Sequence, residues 1–158
     1  MNLPKTTLLY LHKPKEKQIL LAMKKRSFGI GKWNGVGGKL NKGESILEAI
    51  VRETKEEIDV MINEKDLVQV ATLDFAWENK PEWEQQVNVF FVENWEGEPA
   101  ETEEMNPKWH SIDAIEYENM WVSDTHWLPL VLKGKKLSGK FKLSEDGNKV
   151  LDMRLEEI

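Results

Sequence analysis

The sequence predicts an α/β (α+β) sandwich, and three observations carry that prediction. Apolar segments of strand length recur along the chain, helix-like stretches stand among them, and polar or glycine-marked turns separate the pieces. At 158 residues the chain is long enough to bury a core of its own, so 1–158 is read as a single domain.

The elements follow in order. "TTLLYL" (6–11) and "QILLAMKK" (18–25) read as two strands joined by the polar turn "HKPKEK". "RSFGIGKWNGVGG" (26–38) is glycine-rich and is expected as a loop, because glycine reaches backbone conformations that other residues avoid. A helix is expected at 46–58. "LVQVATLDF" (67–75) and "QQVNVFFVE" (85–93) read as strands, with a further short strand at "PKWH" (107–110). "SDTHWLPLVLKG" (123–134) reads as a helix capped by Ser123 or Asp124. The tail "KFKL–SEDGN–KVLDMRL" reads as a hairpin turning at Asp146–Gly147.

Composition narrows the function. With 40% hydrophobic and 32% charged residues the chain has the make-up of a soluble globular protein. No apolar run approaches the roughly 18 residues of a membrane span, and "MNLPKTTLLYLHK" lacks a signal-peptide pattern. Cysteine is absent, which excludes disulfides and thiolate metal sites and fits a reducing cytoplasm. A formal charge of −6 argues against a nucleic-acid polymer as partner, though a small phosphorylated ligand remains open if a cation neutralises it.

The chemistry concentrates in "GGKLNKGESILEAIVRETKEEIDV" (37–60). Ser45 and Glu48 fit a capping box that starts the helix. At about 100° per residue, Glu56, Glu57 and the small Ala49 fall within about 60° of Glu53. Ile50, Thr54, Leu47, Ile58 and Val51 form the adjoining apolar stripe, while Lys55, Glu48 and Arg52 face away. Three carboxylates on one arc repel one another, and a hard divalent cation is the natural compensation. A solvated acidic face is the competing reading. The spacing from Gly38 resembles a phosphate loop until Glu44 stands where lysine is needed, so that reading fails.

Read together, Gly38-x5-Glu44-x7-Arg52-Glu53-x-x-Glu56-Glu57 resembles the box GX5EX7REUXEEXGU of the Nudix family, matching all six fixed positions from Gly38 to Glu57. Thr54 departs from the usual aliphatic, and Asp59 from the glycine that closes the helix. The resemblance implies a Nudix-type α/β/α sandwich with a mixed sheet. It also implies Mg²⁺ or Mn²⁺ held by Glu53, Glu56, Glu57 and a backbone carbonyl at Gly37–Gly38, with Glu44 and Arg52 structural. Water would attack a phosphorus of a diphosphate link.

Further segments resemble the animal-type MutT-homologue branch of that family, which hydrolyses oxidised purine nucleoside triphosphates. They are "LLAMKKRSFGIGKWNGVGGK" (20–39), "EEMNPKWHSID" (103–113) and "NMWVSDTHWLPLVL" (119–132), with "GKFKL" and "LDMRL" near the end. The resemblance implies that Asn34 and Asp124 read the base edge, that Trp121 stacks on its face, and that Thr7, Lys24, Phe28 and Phe75 line the pocket. It implies Glu104 as a further metal ligand or proton acceptor, with Glu101 and Glu103 as competitors. Ser123 stands where the branch has a first aspartate, and Leu73 where it has an aromatic.

Other readings stay open for single residues. Trp121 also suits plain core packing, as Trp127 does more strongly, and Asn34 also suits the turn before Gly35. Trp33, Trp77, Trp83, Trp95 and Trp109 are taken as core or surface anchors, and the three histidines lack ligand spacing. The expectation is a cytoplasmic, monomeric, Mg²⁺-dependent enzyme that sanitises the nucleotide pool, with no nucleic-acid or membrane partner. The alternatives are a Nudix enzyme acting on another purine nucleotide (N6-methyl-dATP, normal dNTPs or dinucleoside polyphosphates) and a catalytically silent nucleotide-binding module.

Overall fold

The computed structural model describes residues 3–158. Eight strands build one mixed sheet: β1 (Lys5–Lys13), β2 (Gln18–Lys24), β3 (Trp33–Asn34), β4 (Val68–Trp77), β5 (Gln85–Val92), β6 (Met105–Ser111), β7 (Leu137–Leu143) and β8 (Val150–Glu157). The strand order is β3-β2-β1-β5-β4-β7-β8, with β6 paired to β2. The β1–β5 and β4–β7 pairs are parallel and the rest antiparallel. Helices α1 (Ile46–Ile58) and α2 (Asp124–Leu132) pack into the cores on opposite faces.

Period-two alternation in β1 sends its side chains to both cores. Leu9 and Leu11 join Leu20, Ile50, Ile58 and Phe90 on the α1 side, while Tyr10 joins Leu21, Trp127, Leu128 and Phe141 on the α2 side. Both faces of the sheet are therefore covered, the expected α/β/α arrangement. Ile50 and Ile58 are fully buried, so truncating either to alanine costs about 2–5 kcal/mol.

The α1 prediction agrees with the structure to the residue. Ser45 Oγ accepts from the Glu48 N–H at 3.1 Å, and Glu48 Oε1 accepts from the Ser45 N–H at 2.9 Å. Thr54 is buried as expected and donates its hydroxyl to the Ile50 carbonyl at 2.7 Å. Asp59 does adopt the left-handed conformation (φ 59°, ψ 40°) and closes the helix there, with Lys55 bonded to its carboxylate.

Some local expectations need correction. The glycine-rich loop contains the short strand β3, because Trp33 and Asn34 pair with Met23 and Ala22. β6 is longer than "PKWH", since β2 offers a seven-residue ladder from Gln18 to Lys24. Ser123 occupies the α2 cap position in an αR conformation, but its side chain makes no capping bond. Among the described residues no helix is long and apolar enough to cross a membrane.

The topology opens a cleft. β1 and β2 are paired only near their turn, at His12–Ile19 and Lys13–Gln18, and then diverge. Residues 36–38 follow β1 instead: Leu9 and Val36 exchange backbone hydrogen bonds, and the Thr7 N–H donates to the Gly38 carbonyl at 2.9 Å.

Candidate active site

The turn from Gly37 to Gly38 lies between β1 and α1; backbone contact requires glycine at 37, and an added side chain at 38 would crowd the end of Glu53. A Cβ on Gly37 would sit 2.0 Å from the Thr7 carbonyl oxygen, and one on Gly38 would sit 2.8 Å from Glu53 Oε1. With the turn this close, the Gly37 N–H donates to Glu57 Oε1 at 2.8 Å. Glu57 is only 2% exposed. Burial first, then the nearby Glu53 and Glu104 carboxylates, push its carboxyl up to about 8, against the lowering effect of the Gly37 N–H and Lys24. Burial also raises Glu53, with Glu56 and Glu104 adding to the effect against Arg52.

Arg52 does not simply face away from this arc. Its guanidinium grips Glu44 through Nε (2.7 Å) and Nη2 (2.9 Å), and reaches Glu53 at 3.0 Å and Glu56 at 3.3 Å through Nη1. Arg52 therefore pairs with Glu44 and with two of the proposed ligands at once, in keeping with a structural role. The two-pronged bond holds the Glu44 carboxyl down at about 2 and ties the loop to α1. Glu56 is the outermost of the three, with half its side chain exposed.

Glu104 directly precedes β6 and lies within electrostatic reach of the glutamate arc, adding to the raised pKa of both Glu53 and Glu57. Glu101 instead bonds Lys25 at 2.7 Å, and Glu103 is almost wholly exposed. Glu104 also pairs with Arg26 at 3.3 Å. Among the described residues no three acidic or histidine side chains are already drawn into a cation cage. Arg52 and the Gly37 N–H each engage one oxygen of Glu53, Glu56 or Glu57, leaving the second oxygen of each carboxylate outside these bonds.

A cavity of about 370 Å³ adjoins this arc, with Gly37 and Gly38 in its wall. Thr7, Lys24, Phe28, Asn34, Phe75, Trp121, Ser123 and Asp124 all line it, so four separate regions of sequence meet in one pocket. Leu73 lines it too, fully buried. Asn34 fits the turn reading and also lines the pocket: its Oδ1 accepts from the Tyr10 hydroxyl (3.1 Å) and from the Gly35 N–H (2.9 Å), which orients the amide within the pocket wall.

Asp124 is 4% exposed, and burial raises its carboxyl from an ordinary 3.8 to about 7 despite the Trp127 N–H, the Trp121 backbone and Lys32. Its Oδ1 accepts from Trp127 Nε1 at 3.1 Å, while Oδ2 and the neighbouring Ser123 Oγ are buried without a partner among the described residues. Trp127 is thus a core residue that also orients Asp124.

Sequence reasoning missed part of the aromatic wall. Trp77 and Trp83, taken as ordinary anchors, surround Phe28 with Trp121: Phe28 lies 5.2 Å from both Trp83 and Trp121 and 6.5 Å from Trp77. Trp77 lines the pocket. Lys32 was missed as well; its ammonium lies 5.2 Å from the Trp121 ring centre. No short-range spacing marks these residues, because β4, the loop before β5 and the β3 loop meet only in the fold.

The NUDIX domain family pattern matches residues 2–131. The chain belongs to the Nudix hydrolase family. Nudix hydrolases use divalent metal ions and act on small nucleotide substrates. Among relatives, an oxidized purine nucleoside triphosphate hydrolase of Danio rerio is 40% identical over 141 residues, covering 89% of this chain and 88% of that protein. Its namesake in Mus musculus is 38% identical with the same coverage. In structure, this Nudix chain is similar to a mutator MutT protein from Bacillus halodurans, with a TM-score of 0.82, 26% identity and 98% of both chains covered.

Proposed function

We propose that this Nudix hydrolase acts, as one domain over 1–158, on oxidised purine nucleoside triphosphates such as 8-oxo-dGTP and 2-hydroxy-dATP, releasing the monophosphate and pyrophosphate. The carrying observation is the pair of buried, unpartnered polar groups, Ser123 Oγ and Asp124 Oδ2, on a pocket whose wall continues to Gly37 and Gly38. Buried polar atoms cost free energy until something bonds them, so they favour a ligand with complementary polar edges. With its Oδ1 engaged, Asn34 offers its NH₂ as donor. Asp124, at about 7, passes between donor and acceptor near neutral pH. Trp121 supplies a face for stacking. The names of the 40% and 38% identical relatives support the same substrate class.

Glu53, Glu56, Glu57, Glu104 and a carbonyl of the Gly37–Gly38 turn would hold Mg²⁺ or Mn²⁺, and their fit lies in the donor set: all hard oxygens, with carboxylates that raise one another's pKa. A bound cation of this kind neutralises phosphate oxygens and lowers the pKa of water. In the reaction, water oxygen bonds to a phosphorus of the α–β link, the bridging P–O bond breaks, and a carboxylate of the arc accepts the proton. Lys24 and Lys39, both on the pocket wall, offer cations to the triphosphate. The reading places a monomer in the cytoplasm, clearing damaged nucleotides before they reach DNA.

The test is Mg²⁺-dependent pyrophosphate release, comparing kcat/KM for 8-oxo-dGTP, 2-hydroxy-dATP, dGTP and dATP. A preference for either oxidised base is the expected result. Equal, slow turnover of all four overturns the substrate assignment and leaves the family standing. The uncharged Ser123 favours a second reading in that case, a Nudix enzyme for another modified purine such as N6-methyl-dATP.

A further inference from the structure

The turn between β7 and β8 (Ser144–Lys149) lies beyond the residues that match the family pattern, yet it abuts two tryptophans of the pocket wall. Its exposed residues Glu145, Asp146, Asn148 and Lys149 surround one buried glycine, Gly147. Gly147 has φ +75°, and a Cβ there would lie 3.1 Å from Trp121 Cζ3 and 3.5 Å from Trp77 Nε1. The turn backbone therefore rests against the two tryptophans.

The turn is braced from within. Asp146 Oδ1 accepts from Ser144 Oγ (2.7 Å) and from the Asn148 N–H (2.9 Å), and Ser144 Oγ accepts from the Lys149 N–H (3.0 Å). At its base the Glu78 N–H donates to the Leu143 carbonyl at 2.9 Å, joining the turn to the end of β4 just after Trp77. Leu143 itself lines the pocket. A stiff turn pressed on the edge of an aromatic ring limits how far that ring can tilt.

We propose that Gly147 is a positioning residue for base recognition: the β7–β8 turn sets the plane of Trp121 and the place of Trp77, so the C-terminal hairpin forms part of the specificity wall. This rests on the nucleotide reading above. With a Cβ at 147 Trp121 must shift, because the contact falls on a ring packed against Phe28 and Trp77 and not on a flexible chain end.

The test compares Gly147→Ala with Gly134→Ala. Gly134 has a similar left-handed backbone (φ +93°) but nothing within 4 Å of an added Cβ, so it reports the backbone cost alone. For Gly147→Ala, KM for the best purine triphosphate rises roughly ten-fold with kcat nearly unchanged, the loss expected for a weakened base stack. Inhibition by inorganic tripolyphosphate, which has no base, stays as in the parent protein. Gly134→Ala changes neither constant. Equal KM values for the two variants overturn the proposal, as does an equal loss of tripolyphosphate binding. Asp146→Ala, which loosens the brace without adding a Cβ, gives a second arm if Gly147→Ala does not fold: KM rises and tryptophan quenching by nucleotide weakens, and no change in either overturns the proposal. If unoxidised purines prove to be the better substrates, the substrate class falls while the Gly147 effect is still read on whichever purine triphosphate is turned over.

Discussion

The glutamate arc and the proposed base pocket meet at Gly37–Gly38 but are built on opposite terms. In the arc, charges are plentiful and all are engaged: Arg52 holds Glu44, Glu53 and Glu56, and the Gly37 N–H holds Glu57. In the pocket, by contrast, Ser123 Oγ, Asp124 Oδ2 and Trp77 Nε1 are buried with no partner among the described residues. A region that manages like charge must be held together whatever binds. A region that discriminates between bases must leave hydrogen-bonding capacity unspent until the right ligand arrives.

That contrast predicts which kinetic constant each region controls. Glu57→Gln keeps the side chain's shape and its contact with Gly37 but removes a carboxylate, so kcat should fall by about 10³-fold with the fold intact. Circular dichroism with single-turnover kinetics checks this, and a variant of near-normal rate breaks the comparison. Trp121→Ala should act on binding, raising KM about 10- to 100-fold as a base stack is lost while kcat falls much less. A kcat effect as large as that of Glu57→Gln would mean the two regions are not separable.

Arg52→Gln probes the link between them. Freed from the guanidinium, Glu44 no longer anchors the loop and the proposed ligands lose their orientation, so kcat should drop roughly ten-fold, with KM for the nucleotide little changed. Metal-concentration dependence of the rate is the sharper readout: the variant should need more Mg²⁺ for half-maximal activity.

The smallest effect concerns stability. The Asp124 carboxyl ionises at 3.8 in its ordinary state and about 7 in the fold, so between those values the unfolded chain is ionised while the folded one keeps its proton. Stability contributed by this group is therefore lost as pH rises from about 4 to about 7, and is flat above. Asp124→Asn should remove that slope, narrowing the Tm difference between pH 5 and pH 8 by on the order of 5 °C. An unchanged slope would show that Asp124 is not the group responsible.

Legibility followed the same division. Helix α1 could be read to the residue because its cap, apolar stripe and glutamate arc are contiguous, and each follows from local geometry. Arg52 was harder: a helical wheel points it away from Glu53, yet a long flexible side chain folds back to the charges around it. Glu104 could not be separated from Glu101 and Glu103 by spacing, and only the fold brings its charge within reach of Glu53 and Glu57 while Glu101 pairs with Lys25. Trp77, at the end of β4, and Trp83, in the turn before β5, carried no signal, since a tryptophan there reads the same whether it fills a core or lines a pocket.

By itself the sequence determined the class of fold, the glutamate loop and helix, and, through its likeness to a known family, most of the pocket residues. These depend on neighbours within one or two helical turns, or on patterns recorded in the order of residues. Tertiary structure alone decided that β1 and β2 diverge to admit the glycine turn, that Asp124 is buried deeply enough to ionise near neutrality, and that Gly147 lies under Trp121. Burial and long-range contact are properties of how strands meet, and residues more than a hundred positions apart in sequence become neighbours only once the sheet has formed.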